Sequence, residues 1–288
     1  KALFESGLLP LDLVQIRVTF SSLLLAAVFA VYSRSLLRIS PRDIGYFLVL
    51  GGVIMALVQF TYFYTISKIQ VVAAILLQYL SPIIVAFFSM LFWGEKPTLF
   101  KFFSMFLAIA GTYLVVGGYN LDLLRMNRIG ILVGLASALL YSAYTLLGER
   151  ATHRYAPWTV VFYSMLFAAL SLNVFYAPFN YLWAGYTAEQ WCWILYVVII
   201  GTVLPFGLYF VGINYVRSTR AMITATLEPI SAGIMAYFFL GERLEALQLL
   251  GSALVVAAIT LLQLNREQDA LSPEAVRSNE EESGRNLL

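Results

Sequence analysis

Apolar residues in this chain fall in runs of about 20, each closed by a short polar stretch. A run of that length crosses the roughly 30 Å hydrocarbon layer of a bilayer as one helix. The pattern predicts nine spans, at residues 11–32, 44–65, 71–92, 98–116, 129–147, 158–177, 190–213, 219–240 and 246–264. Between them lie SRSLLRISPRD, ISKIQ, GEKPT, GYNLDLLRMN, GERATHRYAP, the Pro178–Glu189 loop, VRSTR and GERLE. Turns this short make consecutive spans antiparallel neighbours. The expected fold is therefore an all-α, polytopic membrane protein.

The pattern also repeats. Ile66–Lys96 (ISKIQVVAAILLQYLSPIIVAFFSMLFWGEK) aligns with Ile213–Arg243 (INYVRSTRAMITATLEPISAGIMAYFFLGER) at an offset of 147. Pro82 falls on Pro229, Phe92 on Phe239, Gly94 on Gly241 and Glu95 on Glu242. The same offset pairs Tyr62 with Tyr209 and Pro10 with Pro157. This predicts a first half at 1–116, a linker at 117–128, a second half at 129–264 and a polar tail at 265–288. Shifted back by 147, the span 129–147 falls before Lys1. The first half is thus expected to lack its first helix here, in a protein of ten helices and two halves of five. A true nine-helix protein is the alternative. An odd number of helices per half inverts one half relative to the other, a common transporter design with a mid-membrane site between the repeats.

Composition agrees with a membrane protein. Of 288 residues, 61% are hydrophobic and 12% charged, about half the charge of a soluble domain. The tail after Leu264 holds six acids and three arginines and has no helical periodicity, as a solvated, disordered terminus would. The body carries 15 basic and 10 acidic residues. If the absent helix starts inside, the inner loops hold Arg34, Arg38, Arg42, Lys96, Lys101, Arg150, Arg154, Arg217 and Arg220. The outer side then holds Lys1, Arg17, Lys68, Arg125, Arg128 and Arg243, so the bias favours a cytoplasmic C-terminus in the inner membrane. One cysteine, Cys192, and one histidine, His153, leave no disulfide or metal centre to expect.

At this point the residues resemble a known family. The paired motifs LSPIIVAFFSMLFWGEK and LEPISAGIMAYFFLGER, with the opening GLLPLDLVQIRVTFSSLLL, are similar to the EamA branch of the drug/metabolite transporter superfamily. The likeness covers about residues 3–264. It implies ten helices, two inverted repeats and movement of small organic metabolites, often amino acids and often outward. It calls for no cofactor and no enzymatic reaction. The partners it implies are a small-molecule substrate and the lipid bilayer, without nucleic acid and with a homodimer as an option.

Glu228 is the first candidate for chemistry. It lies about 14 Å into its span at 1.5 Å per residue, and it is the one acid placed that deep. Such a group costs roughly 2.5–3.5 kcal/mol to insert and is normally paired or faces water. A carboxyl carried either charged or neutral suits proton coupling or amine binding. A hydrogen-bonded Glu that locks helix packing is the other role open to it. Pro82 and Pro229 are the expected helix breaks, freeing the carbonyls of Gln78 and Ala225. Freed backbone at membrane depth must be buried in protein or line a cavity, and matched breaks in two halves point to a central site.

Polar residues near these breaks are candidates for substrate contact: Gln78, Tyr79, Tyr62, Tyr209, Tyr141, Tyr144 and Thr226. Each tyrosine alone also fits packing or an interfacial belt. The Gln78/Tyr79 and Thr226/Glu228 pairs are the stronger expectations. Gly130 and Gly134 form a GxxxG that predicts close helix packing. Arg17 could reach the membrane surface or pair with the helix expected before Lys1. No P-loop or HExxH is present, and the spans lack the several cations a phosphate-bearing substrate needs. The expectation is a secondary transporter, an exporter of amino acids or amines by alternating access. The rivals are an exporter of lipophilic cations or drugs and a non-transporting regulatory protein.

Overall fold

The computed structural model describes residues 4, 7–81, 83–84, 87, 98–176, 185–209, 211–212, 227–241 and 244–266. All regular structure among the described residues is helical. The segments are α1 (Pro10–Tyr32), α2 (Pro41–Lys68), α3 (Val71–Gln78), α4 (Leu99–Val115) and α5 (Leu121–Thr152). They continue as α6 (Pro157–Phe175), α7 (Ala188–Tyr209), α8 (Leu227–Leu240) and α9 (Ala246–Arg266). Five of them, α1, α2, α5, α6 and α7, contain windows long and apolar enough to cross a membrane. The tail after Arg266 and the Glu95–Lys96 and Glu242–Arg243 pairs lie outside the described residues.

Local chemistry sets the helix ends. Pro10 and Pro157 stand at the first turn of α1 and α6, where a missing N–H costs nothing. Thr187 and Gln190 cap each other reciprocally at the start of α7. Gly117 and Gly241 adopt positive φ, at +75° and +64°, just past α4 and α8. An L side chain there would be strained, and glycine ends the helix without that cost. The stretch 121–128, expected as linker, is helical. Its Leu, Arg and Met residues are good helix formers, although it is too polar to read as a span.

The chain forms two compact units that do not follow chain order. The first is built mainly from Thr61–Ser142 and Thr219–Ala270, the second from Leu3–Phe60 and Ala143–Ser218. In the first unit α4 packs along α9. A Cβ on Gly111 would lie 2.7 Å from the Gly251 carbonyl, and one on Gly251 would lie 2.6 Å from the Gly111 carbonyl. The two backbones therefore touch. Gly130 and Gly134 likewise give α5 close contact with Ile69 and Leu77. Large apolar side chains of α4 such as Phe102, Phe103, Phe106 and Ile109 face outward, the reverse of a soluble helix bundle and the surface that lipid solvates.

The second unit packs α6 against α1 and the middle of α2. Its core includes Val14, Ile16, Phe47, Leu50, Met55, Val160 and Met165. Two stretches in it are π-helical, Leu48–Met55 in α2 and Ile199–Val203 in α7. Runs of this kind are rare and gather at functional sites. A shift of 147 carries 52–55 onto 199–202, so the two overlap in the register read from the sequence.

Candidate functional site

In the first unit α3 ends at Gln78, and Tyr79 takes a non-helical backbone setting of φ −69°, ψ 0°. Pro82 lies outside the described residues. The turn at Tyr79 swings its side chain to α8, where the hydroxyl donates to Glu228 Oε2 at 2.6 Å. That is a short, charge-assisted geometry when the carboxylate is ionised. Beside it, Gln78 Nε2 donates to Ser137 Oγ of α5 at 3.0 Å. Ser142 Oγ, five residues further along α5, has its one proton within reach of the Ala138 carbonyl at 2.7 Å and the Ser81 carbonyl at 3.1 Å. Ser81, Ser137 and Ser142 are all buried. The interrupted helix is thus tied to α5 by serine and glutamine, leaving Tyr79 to carry the link to the acid.

The other expected residues divide between the units. Tyr62 rests its ring on Phe63, centroids 5.2 Å apart, and Tyr141 is half-buried on α5; both belong to the first unit. Tyr144 and Tyr209 belong to the second. There Tyr144 is fully buried, lies beside Ser164 and Tyr209, and sets its ring edge-on to Phe206 at 6.2 Å. Pro229 stands within α8, its side chain outside the described residues, as is all of Thr226.

Sequence reasoning left Arg17 open, and the fold decides it. Arg17 is 4% exposed, inside the second unit. Its Nε donates to Thr202 Oγ1 at 2.7 Å, its Nη2 to the Gly201 carbonyl at 2.9 Å and its Nη1 to Gln59 Oε1 at 3.3 Å. Gly201 and Thr202 lie in the second π-helical stretch, and Gln59 in turn donates to Met55 Sδ, the end of the first, at 3.9 Å. Gln15 Nε2 donates to Asn173 Oδ1, and Asn173 Nδ2 to Thr19 Oγ1, each at 3.0 Å. A cation and two amides in apolar runs were the available signal, and their partners lie up to 185 positions away.

The profile of the EamA-like transporter family matches residues 1–117 and 128–264. The chain belongs to that family. It is similar to an uncharacterized transporter of Archaeoglobus fulgidus, 30% identical over 201 residues that cover 70% of each chain. It is also similar to the uncharacterized inner membrane transporter YicL of Salmonella typhimurium, 29% identical over 260 residues, 90% of this chain and 86% of that one. The threonine/homoserine exporter RhtA of Escherichia coli K12 is 26% identical over 210 residues, 72% of this chain and 67% of that one. A crystal structure at 18% identity covers 91% of this chain and 90% of its own with a TM-score of 0.64, which supports the fold. This EamA-family chain is a multi-pass membrane transporter, and its partners include a small-molecule substrate and the bilayer.

Proposed function

We propose that this transporter exports small amine-bearing metabolites, amino acids foremost, by alternating access of two inverted repeats. Glu228 binds the substrate amine or the coupling proton, and Tyr79 positions its carboxylate. The observation that carries this reading is the 2.6 Å bond from Tyr79 to Glu228, made where α3 is interrupted. An acid at that depth is costly, is normally paired or faces a wet cavity, and marks a functional site by default. The name of the relative RhtA, a threonine/homoserine exporter, supports amino acids as the class and outward as the direction.

Extracellular metabolite profiling tests it. Bacteria expressing the protein are compared with cells expressing Glu228→Gln and with empty cells. A metabolite that accumulates outside with the unsubstituted protein alone names the substrate and puts Glu228 in the mechanism. Equal accumulation with both forms keeps the exporter and returns Glu228 to helix packing. Lipophilic cations, rather than amino acids, leaving the cell would favour the drug-exporter reading.

A further inference from the structure

A second polar site stands at the other end of α3, about 13 Å from Tyr79 along the helix at 1.5 Å per residue. It is a cavity of about 280 Å³ wholly within the first unit, just below the roughly 300–1,000 Å³ typical of small-molecule sites. Lys68 lines it from the end of α2, Gln70 from the turn before α3, Asn127 from α5, and Glu245 and Gln248 from the start of α9.

Its polar groups are held in place. Gln248 is 8% exposed; its Oε1 accepts the Glu245 backbone N–H at 3.0 Å. Its Nε2 donates to the Val115 carbonyl at 3.2 Å and to Gln70 Oε1 at 3.3 Å. Tyr119 donates to Glu245 Oε2 at 2.6 Å. That bond, more than burial, pushes the Tyr119 hydroxyl up to about 12, so it stays a donor throughout the physiological range. Lys68 Nζ sits 5.4 Å from the centre of the Tyr64 ring. Among the described residues, Lys68 and Glu245 make no ion pair with each other although both face the cavity.

Two opposite charges kept apart across a small polar cavity match a ligand that carries both charges itself. We propose that this cavity is a vestibule for a free α-amino acid, its carboxylate on Lys68 and its ammonium on Glu245, with Gln70, Asn127 and Gln248 completing the contacts. It rests on the amino-acid reading above and places a second binding step in series with the Tyr79–Glu228 pair. The buried apolar stretch Ala74, Ile75, Leu76 and Leu77 separates the two sites, so the vestibule can fill independently.

The test uses the full chain in phosphatidylglycerol nanodiscs with Glu228→Gln as background, so that binding reports the vestibule. A labelled mixture of the twenty common amino acids and homoserine is equilibrated with the protein. Retention is expected, lost about tenfold or more with Lys68→Gln or Glu245→Gln and kept with Lys68→Arg. For the retained amino acid, the N-acetyl form and the methyl ester should each bind at least tenfold more weakly. Retention unchanged by either Gln substitution overturns the vestibule, as does no retention at all. Displacement of the label by glycerophosphoethanolamine at lower concentration than by free amino acid would assign the cavity to a lipid headgroup and overturn it too. If export still depends on Glu228 while the vestibule fails, the transport reading stands; if neither binding nor export occurs, both fall.

Discussion

Tyr79 gives Glu228 a single hydroxyl, 2.6 Å away. Hydrogen bonds to a charged group are worth about 1.5–3 kcal/mol. Tyr79→Phe is therefore expected to slow export about tenfold or more while leaving the amount of protein in the membrane unchanged. An undiminished export rate in vesicles would assign the pair to packing. Arg17 works differently, since it donates to acceptors on Gln59, Gly201 and Thr202, all of them helix residues. Arg17→Leu strands buried acceptors, each costing about 1–3 kcal/mol, so a loss of about 3 kcal/mol or more is expected in detergent melting. Lysine has one compact ammonium instead of a planar fork. Arg17→Lys should recover only part of the loss, and full recovery would show that charge alone matters.

At the scale of elements, helix contact is set by small residues and by pitch. α4 and α9 meet backbone to backbone at Gly111 and Gly251. Gly251→Ala places a Cβ 2.6 Å from the Gly111 carbonyl, and overpacking of that kind costs about 1–3 kcal/mol. The expected result is a lower melting temperature with the secondary structure intact by circular dichroism. The π-helical stretch Leu48–Met55 sets the rotation of the C-terminal part of α2. Inserting one alanine after Leu57, where α2 already has α pitch, turns the helix beyond it by about 100°, carrying Gln59 away from Arg17. The insertion should destabilise the protein at least as much as Arg17→Leu. Combining the two should cost less than their sum, because both break one network.

At the scale of the molecule, the bias of lysine and arginine predicts a cytoplasmic face around Arg34, Arg38 and Arg42. A fluorescent protein fused after Leu288 should therefore fold and glow, and alkaline phosphatase fused there should stay inactive; the opposite pair of results would invert the topology. The helical membrane fold was legible because a run of apolar residues long enough to cross a bilayer is a property of the chain in one dimension. Glu228 and Pro82 drew notice for a related reason, since a charge or a proline inside such a run stands out against it. The partners were not visible. Tyr79 could have faced any neighbour, and it meets Glu228, 149 positions on. Gln78 donates to Ser137, 59 positions on. Arg17 finds Gln59 and Thr202 across two π-helical stretches that no periodicity announced. Each residue turns a helix by about 100°, so helix rotation, pitch and close glycine contacts choose the partner of a buried polar group. Those are settled only when the helices pack: run length along the chain fixes that it spans a membrane and where its costly residues lie, and packing in three dimensions selects which of them meet.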